Sequence, residues 1–448
     1  MSNPMFCFNL VGLCPALLDE LIQMPCFSKL IQTGQKAAMQ PVFPCLTLPG
    51  QATLSTGTYP NEHGIIANGF YYKDRFEISF WDQYRSLVQA TPVWEQLKKD
   101  RPEFKTATLF CQNTLYGKAD FIITPKPLHT DKGLIQWCYS KPVGLYETIS
   151  QKIGRPFNLM DYWGPFASSK ASDWIMEAAA CLVRDHQPDF MITYIPHLDY
   201  SCQKFGPDSP EVIKDLEILD SLMANFIQTL KTQGIYDQTT LCFFSEYSIS
   251  NVNKCILLNQ TLRDHNFLSV REIEGREYLD FEQSLAFAMV DHQIAHIYVQ
   301  DKTQIDSLKN LIKQIDGVNH VLGLEEKQSM KIDHERSGDL VAVCDPDKWF
   351  AYYWWTDPQK APDFAFNIDI HRKPGYDPLE LFMDMQTFKI PQTPELIKGS
   401  HGAPAQNGEG MAVIMLSGQK AGTISLPETM DMIQVAPLLK QLMDSVHV

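Results

Sequence analysis

Short apolar runs rich in β-branched and aromatic residues recur along the 448-residue chain, alternating with stretches of helical spacing. They predict strands at Met5–Leu13, Thr106–Cys111, Phe190–Ile195, Thr240–Ser245, Asp339–Cys344 and Met411–Ser417. The clearest helix is predicted from Ser209 to near Gln233, where Val212, Leu216, Leu219, Met223, Phe226 and Leu230 fall on one face. Ser209 is placed to cap it, Pro210 to open its first turn and Gly234 to stop it. This strand–helix–strand unit predicts Phe190–Ile195 and Thr240–Ser245 as parallel neighbours in one sheet.

The pattern changes between residues 266 and 338. A charged helical segment, Thr303–Ile315, lies there between short strand-like pieces, before the strand GDLVAVC resumes. The expected organisation is an α/β core with a mostly parallel sheet flanked by helices, residues 1–265 and 339–448. A smaller inserted α+β cap is expected at 266–338. Residues 349–390, which include WFAYYWW and DIHRKPGYDPLELF, are dense in aromatics, Pro and Gly. Two readings of them stand side by side: a long loop packed on the core, or the lining of a substrate pocket.

Charge narrows the partners. Against 53 Asp and Glu there are 38 Lys and Arg, a net charge of −15. That balance argues against non-specific binding to nucleic acid or an anionic membrane surface. An anionic substrate would therefore need a local positive site. No apolar run is long enough to span a bilayer and no basic leader opens the chain, so no membrane insertion is expected. Eleven cysteines are scattered singly with no C-x-x-C pair, which predicts reduced thiols and a cytoplasmic protein. The oligomeric state is left open. No dinucleotide-binding glycine motif, P-loop, G-x-S-x-G elbow or H-E-x-x-H helix occurs.

Four segments at predicted strand ends carry the candidate chemistry, where open parallel sheets place their ligands. In residues 41–72, Thr47 follows a proline-bounded turn into a short helical stretch, where a metal and a helix N-terminus would activate its hydroxyl. Asn68 follows in the same segment, with an amide able to donate to an oxyanion. In YIPHLDYSCQKFGP, His197, Asp199 and Gln203 are spaced to face one cation if the loop turns helically. FFSEYSIS sets Glu246 at a sheet edge, and KGSHGAP sets His401 between glycines before the last strand.

These phrases carry a family resemblance. V-G-L after the first strand, P-C-L-T-L-P, TGTYPNEHGIIAN, D-Y-S-C-Q-K-F-G-P, S-E-Y-S-I and G-S-H-G occur in that order. The chain thereby resembles the alkaline phosphatase superfamily, and within it the nucleotide pyrophosphatase/phosphodiesterase and phosphonoacetate hydrolase branch. The resemblance implies the superfamily's mostly parallel sheet and a nucleophile attacking phosphorus between two metal ions, usually zinc. It matches Thr47 to the nucleophile, Asn68 to the group binding a phosphoryl oxygen, and Asp199 and His401 to ligands of one metal.

Other positions depart from that pattern. The family's first-strand aspartate falls at Val11, its histidine four after Asp199 at Gln203, and its aspartate–histidine pair at Glu246 and Tyr247. A two-zinc site is therefore not expected. The expected cofactor is a divalent metal, zinc by resemblance, in one site held by Asp199, His401 and one of Glu246 or His197, with Gln203 as a neutral oxygen ligand. Asp291, His292 and His296 in DHQIAH are alternative ligands, the two histidines being four apart. Lys126, Arg372 and Lys373 are candidate cations for the substrate. The resulting expectation is a metal-assisted hydrolase of a phosphodiester, phosphomonoester or phosphonate of a small metabolite. Its alternative is a non-catalytic or metal-poor descendant that binds a phosphorylated metabolite or a protein partner.

Overall fold

The computed structural model describes residues 3–131, 133–406 and 408–444. Leaving aside small two-stranded hairpins, the central sheet's strands come first: β1 (Met5–Leu10), β2 (Gln35–Gln40), β3 (Thr106–Leu109), β4 (Phe121–Pro125), β5 (Cys138–Lys141), β6 (Phe190–Ile195) and β7 (Thr240–Phe244). A separate group follows: β8 (Ala286–Asp291), β9 (Ile294–Val299), β10 (Val318–Leu322) and β11 (Leu340–Cys344). The chain then returns with β12 (Ala412–Gly418) and β13 (Thr429–Asp431). Among the helices, α1 (Thr47–Thr56), α2 (Ser169–His186), α3 (His197–Phe205) and α4 (Pro210–Thr232) build or support the site.

The central sheet has nine strands in the order β13-β2-β12-β7-β1-β6-β3-β4-β5. All are parallel except β12 and β5. The α/β expectation thus holds. One expected pairing does not: β6 and β7 are separated by β1, with Cys7 in register with Ile192 on one side and Cys242 on the other. All six residues of β1 are buried, so its backbone groups need hydrogen-bonding strands on both edges. Helix α4 begins with Pro210 as expected, although the Ser209 side chain makes no capping bond.

The second sheet has the order β8-β9-β11-β10 and is antiparallel throughout. The strand expected to resume the core at 339 therefore belongs here: Leu340 pairs with Ile297, and Val341 with Leu322. The boundary placed at 338 falls inside this sheet. The WFAYYWW run explains why the unit extends so far. Trp349 through Trp355 are buried in the apolar cluster that also holds β8, β9 and β11. Burying such rings is strongly favourable, so this run stays with the second sheet.

Parallel strands bring their C-terminal ends to one edge. There β1 ends near Asn9, β6 leads into α3, β7 leads into Ser245–Tyr247, and the segment after β2 leads into α1. The β8–β9 hairpin reaches the same edge: Gln293 N–H donates to the His401 carbonyl at 2.9 Å, and Phe350 N–H to the His292 carbonyl at 2.7 Å. Gly399 lets the 399–402 segment lie directly on α3. A Cβ there would overlap the Cys202 carbonyl oxygen.

Candidate functional site

Thr47 is the first residue of α1, after Leu46 in an extended conformation. Its hydroxyl lies 2.9 Å from the Tyr247 hydroxyl. In the first turn of α1, Leu48 N–H donates to Asn68 Oδ1 at 2.9 Å and Gly50 N–H to the Leu46 carbonyl. Asn68 in turn gives its own N–H and its side-chain amide to Asp291, at 2.7 and 3.1 Å. The amide expected to meet an oxyanion is thus held by a carboxylate.

The centre of the site is a column of four rings. Tyr247 stacks on His401 with centroids 3.7 Å apart, His401 meets His292 at 3.8 Å, and His292 stacks on Tyr376 at 3.6 Å. Each imidazole is fixed at its edge. His401 Nδ1 donates to the Cys45 carbonyl at 2.8 Å, and His292 Nδ1 donates to Asp291 Oδ1 at 2.8 Å. His292 occupies the tight turn between β8 and β9 with φ +59, an uncommon conformation for a residue with a Cβ. Burial depresses the basicity of both imidazoles, so they remain neutral.

The far end of the column is polar. Tyr376 donates its hydroxyl to Gln203 Oε1 at 2.8 Å, and Gln203 Nε2 donates to Asp199 Oδ2 at 2.7 Å. Asp199 lies in the first turn of α3. Glu246 follows β7 and accepts from Asn9 Nδ2 at 2.5 Å. Burial drives the carboxyls toward the protonated state: Asp199 and Asp291 are each pushed up to about 7, and Glu246 is raised well above its ordinary value. Asp199 Oδ1, Glu246 Oε2 and His292 Nε2 are buried without a hydrogen-bond partner.

Of the residues singled out in the sequence, the structure brings Thr47, Asn68, Asp199, Gln203, Asp291, His292 and His401 into this bonded and stacked group. Glu246 joins it electrostatically: burial first, then the Asp199 and Glu246 carboxyls, push the Tyr247 hydroxyl well above its ordinary value. Other candidates lie elsewhere. His197 bonds Ser172 Oγ at 2.8 Å and the Asp215 carbonyl at 3.1 Å, so it ties α3 to α2 and α4. His296 donates to the Ile66 carbonyl and accepts from Gly338 N–H, inside the second sheet's core. The hairpin turn after His292 breaks the single-face geometry that four-residue spacing implied. Lys126 sits over the rings of Tyr84 and Tyr116. Arg372 pairs with Asp363 and Asp369 near the surface. Lys373 is buried against Asp377 and Glu380 at 2.8 and 2.7 Å.

Two members of the group escaped sequence reasoning. Asn9 is the single polar residue in the apolar run MFCFNL, which was its one signal. Tyr376 lies in the aromatic 349–390 segment: the tryptophans there pack the second core, as the packed-loop reading expects, and Tyr376 stacks on His292.

Comparison with known proteins matches this architecture. The profile of the type I phosphodiesterase / nucleotide pyrophosphatases aligns with residues 5–377. The chain belongs to this family. Curated relatives include venom phosphodiesterase 2 of Crotalus adamanteus, 24% identical over 262 residues, which covers 56% of this chain and 27% of the venom protein. Human ectonucleotide pyrophosphatase/phosphodiesterase family member 1 is 25% identical over 248 residues, covering 54% of this chain and 23% of that protein. The chain thus spans about a quarter of these relatives' length. Among solved structures, phosphonoacetate hydrolase from Sinorhizobium meliloti 1021, in complex with phosphonoformate, has a TM-score of 0.65 at 17% identity, covering 98% of this chain and 95% of the other. Murine ectonucleotide pyrophosphatase / phosphodiesterase 5 has a TM-score of 0.60 at 14% identity, covering 99% and 96%. These likenesses establish the fold.

The residues of this family member do not fit the metal that the resemblance implies. Among the described residues, no group of three His, Cys, Asp or Glu side chains is placed to hold an ion. A tetrahedral zinc needs converging donors roughly 2.0–2.2 Å from the ion. Here one nitrogen of His401 is taken by the Cys45 carbonyl and one oxygen of Asp199 by Gln203, and the donors that remain do not converge.

Proposed function

We propose that this chain binds a small phosphorylated or phosphonate-bearing metabolite without cleaving it, as a metal-poor descendant of the phosphodiesterases. The observation that carries this reading is the Thr47–Tyr247 contact. The hydroxyl matched to the family's nucleophile is engaged by a tyrosine where the resemblance expects a metal-ligating histidine. Phosphoryl transfer depends on positive charge placed around the transferring group. Arg372 and Lys373 instead satisfy carboxylates, and Lys126 faces aromatic rings. Family membership supports the ligand class. So do two fold relatives, one bound to phosphonoacetate and an inactive murine form bound to AMP.

The test is a panel of phosphodiesters, phosphomonoesters and phosphonates, offered with magnesium, manganese and zinc. Expected are no released product and a raised melting temperature with one class of compound. Turnover on any member would overturn the reading.

Hydrolysis through Thr47 is the second reading. It is favoured by one observation: Thr47, Asn68, Asp199 and His401 are all retained and brought to one strand edge. Turnover abolished by Thr47→Ala would establish it. A reducing, cytoplasmic setting is also proposed, supported by the eleven free cysteines. No helix among the described residues is long and apolar enough to cross a membrane.

A further inference from the structure

Positions that the resemblance assigns to metal ligands have partners of another kind in one connected group. Gln203 stands where the resemblance places a histidine, and its amide bridges Tyr376 and Asp199 at 2.8 and 2.7 Å. Tyr247 stands where it places a second histidine. Its hydroxyl meets Thr47 at 2.9 Å while its ring lies on His401, planes 9° apart. An ion would position a nucleophile, an aspartate and an imidazole relative to one another. In this chain those three groups are linked through side chains alone, from Thr47 through the ring column to Asp199.

Donor placement is what opposes coordination. A tetrahedral ion needs donors spread around it. Among the described residues no three His, Cys, Asp or Glu side chains converge on one point, and the His401 and His292 planes are tilted by 38° to one another.

We propose that side-chain contacts have taken over the structural task of the family's metal ions here: the column Tyr247–His401–His292–Tyr376, together with Gln203, holds Thr47 and Asp199 in place with no divalent cation bound. The inference deepens the reading of a metal-poor descendant and fails separately from it. Turnover without metal would overturn that reading and leave this one standing. Bound metal without turnover would do the reverse.

The test uses the full chain, dialysed against zinc, desalted and analysed for metal, with thermal melts in zinc and in EDTA. Expected are substoichiometric metal and the same melting temperature in both buffers. One equivalent of zinc retained by the parent and lost in Asp199→Ala and His401→Ala would overturn the proposal. The converse experiment restores the family's residues: Val11→Asp, Gln203→His, Glu246→Asp and Tyr247→His in one chain. This variant is expected to retain at least one equivalent of zinc and to melt higher with zinc than with EDTA. A folded variant that takes up none would show that these substitutions are not what excludes the ion, and would overturn the proposed exchange. Should the fourfold variant fail to fold, the double variant Gln203→His/Tyr247→His is judged by the same two outcomes.

Discussion

Tyr247 lies face to face with His401, centroids 3.7 Å apart and planes 9° from parallel, while its hydroxyl reaches Thr47 Oγ1 at 2.9 Å. One side chain thus connects the end of β7, the 399–402 segment and the start of α1. Removing the hydroxyl alone, as Tyr247→Phe, is expected to cost about 1 kcal/mol in denaturant unfolding. Tyr247→Ala, which also empties the ring's place, is expected to cost roughly 3–5 kcal/mol. Equal losses would mean that the ring contributes nothing to the packing.

Asp199 gives the site a pH signature. Burial raises its carboxyl to about 7, so the folded chain holds that proton more tightly than the unfolded chain does. This group's stabilising contribution is complete below about pH 4 and is lost as pH rises through about 7. Asparagine cannot ionise. The unfolding free energy of Asp199→Asn relative to the parent should therefore climb between pH 4 and 8, by the order of 2–4 kcal/mol. A difference independent of pH would refute the assignment.

Lys373 and Arg372 are adjacent but are expected to behave oppositely. Lys373 is buried with Asp377 and Glu380, so Lys373→Met strands two carboxyls and should cost roughly 3–5 kcal/mol. Arg372 is half exposed, and Arg372→Ala should cost less than about 1 kcal/mol. If both variants weakened binding of a phosphorylated compound while leaving the melting temperature unchanged, these residues would belong to the ligand site.

Gly399 has no room for a side chain, because a Cβ would strike the carbonyl oxygen of Cys202 in α3. Gly399→Ala should cost more than about 2 kcal/mol. The damage should extend to His401 two residues on, seen as a changed near-ultraviolet circular dichroism from the ring column. A stable variant with an unaltered spectrum would show that the segment can lift off α3 freely.

Much of the framework was legible in the sequence because it rests on local patterns. Continuous apolar runs marked β6 and β7, helical spacing with Pro210 marked α4, and strand-end polar residues marked Thr47, Asp199 and His401. What escaped depends on distant partners. Nothing near Gln35–Gln40, half polar and half apolar, shows that it lies inside the central sheet between β12 and β13. Nothing around His197 shows that both its nitrogens face α2 and α4 and not the strand edge. The assignment of GDLVAVC to the core failed for a similar reason, since a buried apolar strand reads the same in either sheet. The aromatic run that follows it is what settles its place.

The ring column also bears on how the chain unfolds. Its four members come from the end of β7, the β8–β9 turn, the aromatic segment and the loop before β12, so both sheets contribute to a single pile. It can assemble only after segments far apart in sequence have docked, a late and entropically costly step. Once formed, it works as a rivet: neither sheet can loosen without unstacking residues of the other. Heat or denaturant should accordingly take both sheets down in one transition, and the second sheet is ill suited to swing as an independent flap.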